Sequence, residues 1–200
     1  MNTIVRLVLA CILILASPHL IAQPWNISKP VNVSAPAKKG VFHHLESSGR
    51  RNIAVSGNVV GIIWEDDSDG TPRIYLARKA LNSSNFDPKV RISAEGEAYE
   101  PSIIALGDGQ FAIAWEEDEQ ISTRIVAPQK MGPIVKLGDK TSAQVSLVST
   151  GDRILLVHRE QTQRFGQIIL QELMIKNQLN LSPVKRCPVD TDALINDQLY

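Results

Sequence analysis

The sequence predicts an all-β protein built from repeated four-stranded antiparallel sheets, the blades of a β-propeller, and three observations carry that prediction. The run Val59-Val60-Gly61-Ile62-Ile63-Trp64-Glu65-Asp66-Asp67, apolar and then acidic, recurs as Gln110-Phe111-Ala112-Ile113-Ala114-Trp115-Glu116-Glu117-Asp118 and as Arg153-Ile154-Leu155-Leu156-Val157-His158-Arg159-Glu160. Trp64 and Trp115 lie 51 residues apart and His158 follows 43 further on, a spacing that suits blades of four short strands. Outside the first segment, no long stretch carries the 3.6-residue periodicity of an amphipathic helix.

The order of elements begins with a leader. Arg6 supplies positive charge, residues 7–15 form an apolar core, and Ala22 precedes Gln23-Pro24, so residues 1–22 read as an export signal cleaved near Gln23. The apolar run, broken by Pro18 and His19, falls short of the roughly 20 residues a membrane span needs. The expected location is therefore secreted or periplasmic, with no stable membrane span after cleavage. Cys11 sits in the signal core and leaves Cys187 alone in the mature chain, which excludes an intrachain disulfide. Lys plus Arg and Asp plus Glu are equal at 21 each, so no basic field recommends nucleic acid as a partner.

Residues 23–49 read as an orphan outer strand over 25–35, followed by a long loop that holds His43-His44. The strand's tail Val31-x-Val33-Ser34-Ala35 matches Val90-x-Ile92-Ser93-Ala94. A terminal strand of this kind can complete a blade elsewhere in a ring and remove an exposed edge; the alternative is an extended leader that happens to alternate.

Residues 50–200 then divide into blades at about 50–95, 96–139 and 140–188, with the start of a fourth at 189–200. In the first blade the four strands fall at 52–56, 59–64, 73–79 and 89–93, and Gly57-Asn58 makes the first turn because both residues tolerate positive φ. In the second they fall at 102–106, 110–115, 121–127 and 134–137, and in the third at 144–148, 153–158, 167–173 and 184–187. Each fourth strand opens with proline (Pro88, Pro133, Pro183) and carries a base three residues later (Arg91, Lys136, Arg186). Proline is tolerated at the first residue of an edge strand, where no ladder N–H is lost. Cys187 occupies the position of Ile92 and Leu137 and reads as a small core residue. Three blades and one strand fall short of the four or more that close a ring, so the chain reads as the N-terminal portion of a longer propeller. Its open flanks would be prone to self-association.

At Trp64-Glu65-Asp66-Asp67, Arg73-Ile74-Tyr75-Leu76-Ala77, Phe86-Asp87-Pro88 and Tyr99-Glu100-Pro101-Ser102 the sequence resembles the sialidase-like, Asp-box (BNR) repeat propellers, over residues 50–200. The family's Asp-box turn would fall at 79–86, where only the terminal aromatic Phe86 is kept and Leu81 stands at the Asp position. Catalytic members of this family use an arginine cluster for the substrate carboxylate, an Asp acid/base and a Tyr activated by Glu. The nearest matches that the resemblance implies are Arg50, Arg51 and Asp69; the later arginines and the Tyr/Glu pair would lie beyond residue 200. The residues present do not support catalysis by themselves.

In the arrangement implied by the resemblance, the carboxylate bursts share one end of the blades. Glu65, Asp66 and Asp67, then Glu116 and Glu117, with His158 at the third repeat, are the candidate ligand-binding residues, and Glu95, Glu97 and Glu100 fall at the same end. Paired carboxylates can act as acid/base partners in glycoside cleavage or as hard ligands for Ca²⁺; the plainer reading is solvated loop residues, since no EF-hand or other ordered ligand spacing is present. No metal site is assigned to His43-His44 or His158, because adjacent residues of an extended chain point to opposite faces. Trp64 and Trp115, as repeat positions, read as core. The function expected is an exported sialidase-like propeller that binds a carbohydrate or other extracellular ligand on its acidic face. The alternatives are a non-catalytic protein-interaction platform, or the N-terminal part of a sialidase-like exo-glycosidase.

Overall fold

A computed structural model describes residues 30, 33, 43–44, 51–161 and 166–189, and these contain thirteen β-strands and no helix. The expected signal segment, most of the orphan strand and the start of a fourth blade lie outside the described residues. Among the described residues no helix is long and apolar enough to cross a membrane.

The strands form three antiparallel sheets. Sheet 1 holds β1 (His43–His44), β2 (Ile53–Ser56), β3 (Val59–Asp66), β4 (Arg73–Ala80) and β5 (Val90–Arg91). Sheet 2 holds β6 (Ala98–Gly107), β7 (Gln110–Glu117), β8 (Gln120–Val126) and β9 (Val135–Leu137). Sheet 3 holds β10 (Ser142–Thr150), β11 (Arg153–Gln161), β12 (Gly166–Lys176) and β13 (Asn180–Val189). In sheets 2 and 3 consecutive strands pair as a meander, and in sheet 1 β2 to β5 do the same while β1 also pairs with β3, a blade-like arrangement. The short turns follow from residues that tolerate positive φ: Gly57 at 59°, Asp108 and Gly109 at 50° and 73°, and Gly151 at 75°.

Two apolar clusters bind the sheets in sequence order. Ile63, Ile74, Leu76 and Ile92 of sheet 1 pack on Phe111, Ile113 and Trp115 of sheet 2. Ala112, Ala114, Ile121 and Ile125, also of sheet 2, pack on Leu147, Ile154 and Leu156 of sheet 3. Alternation along β7 puts its large side chains toward one neighbour and its alanines toward the other, so nearly the whole strand is buried. Gly61 answers Phe111, since a Cβ at Gly61 would lie 2.9 Å from the ring. Gly132 is tighter still, because a Cβ there would sit 2.0 Å from the Leu179 carbonyl oxygen of sheet 3. Backbone cannot swing away as a side chain can, so Gly132→Ala should destabilise the protein by about 1–3 kcal/mol, read as a lower denaturation midpoint.

The structure corrects three details of the sequence reading. His43–His44, expected in a loop, pairs with β3 as a continuation of the first strand, with His43 opposite Asp66 and His44 opposite Glu65. In sheets 2 and 3 the same point of the first strand carries a β-bulge, between Tyr99 and Ser102 and between Ala143 and Ser146. In sheet 1 the pairing passes from His44 opposite Glu65 to Ile53 opposite Ile62, so more sequence separates the two paired parts than at the bulges of sheets 2 and 3. Second, the strands that precede the acidic bursts run on through them, so Glu65, Asp66, Glu116, Glu117 and Glu160 lie within strands. Third, Pro183 does not open β13; it pairs with Leu173 next to a register shift in that edge strand, where its missing N–H costs little.

The first strands of the three sheets line a groove of about 360 Å³ whose walls include Arg51, Ile53, Val55, Ile103 and Val148. On sheet 3, Val157, Ile168 and Val189 are 37%, 42% and 42% exposed. By register they match Ile63, Ile74 and Ile92 of sheet 1, all buried at its contact with sheet 2; Val189 and not Cys187 thus holds the Ile92 position, and Cys187, opposite Leu170, is half-buried and not core.

Candidate functional site at the acidic end

The second strand of every sheet ends on an aromatic or imidazole ring, one residue, and an acid: Trp64-Glu65-Asp66, Trp115-Glu116-Glu117, His158-Arg159-Glu160. Alternation puts the ring and the acid on the same face. Each acid stands opposite the first residue of its sheet's first strand, with Asp66 facing His43, Glu117 facing Ala98 and Glu160 facing Ser142. All three acids are buried.

Burial of a carboxylate demands partners. Asp66 accepts hydrogen bonds from Lys89 Nζ at 2.8 Å, the Ser68 amide at 2.8 Å and Trp64 Nε1 at 3.2 Å. Burial alone would raise its pKa, but the donors Lys89, Ser68 and Trp64 outweigh that and hold it well below the usual carboxylate range. Lys89 also lies 4.0 Å from the Tyr75 ring centroid, which stacks at 6.3 Å on Trp64. Glu117 accepts from the Ala94 amide at 3.1 Å and from Ser122 Oγ at 2.9 Å, and Glu160 accepts from Arg186. In sheets 1 and 3 the acid ties the second strand to a base at or beside the fourth. In sheet 2 it ties the strand to the segment arriving from sheet 1. These three carboxylates are bolts within the fold.

The remaining acids build the outer surface at this end. Glu116 Oε1 accepts from the Gln144 amide at 2.7 Å and so staples sheet 2 to the bulge of sheet 3. Two backbone bonds repeat the joint: the Ala98 amide donates to the Pro72 carbonyl at 3.0 Å, and the Ser142 amide to the Glu119 carbonyl at 3.0 Å. Asp118 pairs with Lys136 at 2.7 Å, which lowers its pKa. Between the start of β6 and the β7–β8 turn lies an open cleft of about 400 Å³ lined by Glu97, Tyr99, Glu116, Glu117, Asp118 and Glu119. Among its lining residues there is no cation.

Two tyrosines at this end are tied to carboxylates. Tyr99 donates to Glu97 at 2.6 Å, and this bond, with burial, pushes its pKa up to about 12. Tyr75 donates to Asp69 at 2.7 Å, and burial followed by that bond pushes its pKa up to about 12 as well. Both phenols are therefore protonated at neutral pH and present as hydrogen-bond donors.

Of the residues marked by sequence, Glu116 and Glu117 are brought together at the cleft, Glu116 on its wall and Glu117 largely beneath it. Glu65 and Asp66 lie in the equivalent places of sheet 1, and Asp67 begins the following connection. Asp69 is exposed and engaged by Tyr75, while Arg51 lines the groove between the first strands. Arg50 is outside the described residues. His158 is buried inside sheet 3. Tyr99 was not a candidate from sequence, although the recurrence of acids around it, from Glu95 to Glu100, marked its neighbourhood. Among the described residues no three His, Cys, Asp or Glu side chains converge as a metal site. Neither a scan of protein-family models nor a search of curated proteins found a match to this chain.

Proposed function

We propose that the chain is an exported, sialidase-like β-propeller whose acidic end binds an uncharged or amino-bearing carbohydrate without cleaving it. The observation that carries this reading is the cleft at Tyr99. Carboxylates there offer strong acceptors to sugar hydroxyls, and the phenol adds an aromatic body to pack on a pyranose ring. The charge balance also selects the ligand class. A sialic acid carboxylate would meet Glu97, Glu116 and Glu119 with no arginine among the lining residues, while Lys136 beside the cleft is already held by Asp118, and like charges brought together are unfavourable.

Catalysis is left out because the candidate groups are committed elsewhere: Asp69 accepts from Tyr75, and Arg51 lines the groove between the first strands, not the cleft at Tyr99. A protein-interaction platform is the second reading: it would use the exposed Val157, Ile168 and Val189 of sheet 3 or Ile53, Val55 and Val148 of the first strands, none of which lines the acidic cleft.

On a glycan array the protein should retain neutral or amino sugars and leave sialylated ones unbound. Tyr99→Ala, which removes the aromatic surface and the bond that positions Glu97, should weaken binding about tenfold or more, equivalent to about 1.4 kcal/mol. Retention of sialylated glycans, or a Tyr99→Ala variant that binds as the parent does, would overturn the proposal.

A further inference from the structure

His158 stands where sheets 1 and 2 carry tryptophan, and the exchange places a titratable ring at a buried position. Its side chain is fully shielded, with neither ring nitrogen given a hydrogen-bond partner. Two neighbours share the condition: Ser142 Oγ and Glu160 Oε1 are also buried without partners. His158 Nε2 lies 3.9 Å from Glu160 Oε1, too far for a hydrogen bond but close enough for an ion pair if the ring were charged. In sheet 1 the equivalent ring, Trp64, donates to its acid at 3.2 Å. The third sheet thus holds an unfinished copy of a bond that the first has made.

The surroundings come from four segments. From β11 itself comes Glu160, whose second oxygen is held by Arg186 of the outer strand β13. From the connection entering β10 come Gly138, Asp139 and Ser142. A Cβ at Gly138 would lie 2.1 Å from Ser142 Oγ and 2.9 Å from His158 Cε1, so this backbone is pressed against the ring. The Gly138 carbonyl accepts from Gln120 of sheet 2 at 3.3 Å, which links the cluster to the neighbouring sheet. Glu160, Arg186 and Asp139 are the charged groups that act on His158.

We propose that His158 is a proton-operated latch on the third sheet: neutral, it lets Glu160 hold Arg186 and the outer strand β13, and protonated, it draws Glu160 to itself and loosens that strand. The charge bookkeeping favours this sequence of events. With the ring neutral, Glu160 is matched by Arg186 alone; a proton on the ring adds a second cation that competes for that buried carboxylate, while the exposed Asp139 acts on the ring from outside the pair.

Burial lowers the His158 pKa below its ordinary 6.5, an effect opposed by Glu160 and assisted by Arg186. The unfolded chain therefore binds the proton first as pH falls. The sheet keeps its full stability above about 6.5 and loses it as pH drops from there toward the lower folded value.

Amide hydrogen exchange of the full chain at pH 7.5 and 5.5, corrected for intrinsic exchange rates, tests the latch. Protection of β12 and β13 should fall at least tenfold in acid while β7 and β8 keep theirs. His158→Gln should abolish the difference, and His158→Trp, which restores the residue of the other sheets, should abolish it too. Unchanged protection of β13 in the parent, or an equal acid loss in His158→Gln, would overturn the proposal.

Discussion

Trp115→Ala lowers the unfolding free energy by about 3–5 kcal/mol, the largest loss expected from any single truncation in the described residues. Trp115 is fully buried and belongs to the cluster in which Ile63, Ile74 and Ile92 of sheet 1 meet Phe111 and Ile113 of sheet 2. Deleting the indole removes apolar area from the joint and leaves a cavity between two sheets that cannot collapse, because the strands on each side are fixed by their ladders. The indole N–H is buried without a partner, so its removal breaks no hydrogen bond and relieves a desolvation cost that offsets part of the packing loss. Urea denaturation should show a lower midpoint with little change of slope, since the surface exposed on unfolding is nearly the same. A midpoint within error of the parent would mean that sheets 1 and 2 do not share this core.

The second large effect falls on Asp66. Replacement by alanine leaves Lys89, the Ser68 amide and the Trp64 N–H without their common acceptor. A fully buried pair broken this way costs about 3–5 kcal/mol, but the Lys89 side chain is 33% exposed and can turn to water, so about 2–3 kcal/mol is expected. The effect has a pH signature. The folded carboxyl titrates below its ordinary value of 3.8, so the unfolded chain takes up the proton first as pH falls. Asp66 therefore contributes its stability above about pH 4 and loses it progressively below. In thermal melts the gap between parent and Asp66→Ala should be constant from pH 5 to 8 and should narrow toward pH 2. A gap that persists undiminished at pH 2 would show that the loss is packing alone.

The strand centres were legible because alternation, glycine turns and the repeat all point the same way in residues such as Ile62, Ile113 and Leu156. The strand ends were not. Asp66, Glu117 and Glu160 read as loop residues because acids ordinarily mark solvent, and the donors that permit their burial, Lys89, Ala94 and Arg186, lie 23, 23 and 26 residues away. The bases at Lys136 and Arg186 were visible as repeat positions, yet nothing local said which would meet an acid inside the sheet. Sheet 1 in fact uses Lys89, while Arg91 turns to Glu95. His43–His44 was missed for a topological reason: its pairing is dictated by β3, and residues 45–52 separate it in sequence from β2. Of the site, the acidic end was legible as composition. The division between acids that bolt sheets and acids that line a cleft needed the register.

Where a ligand binds, and of what charge, decides whether the acidic end is a carbohydrate site. Amide chemical shifts of the isotopically labelled protein, followed during titration with a neutral, an amino-bearing and a sialylated oligosaccharide, measure both at once. The account predicts saturable shifts confined to residues 97–100 and 116–119 for the neutral or amino-bearing sugar and none for the sialylated one. Shifts centred on Arg51 and the groove between the first strands, or saturation by the sialylated sugar alone, would contradict it.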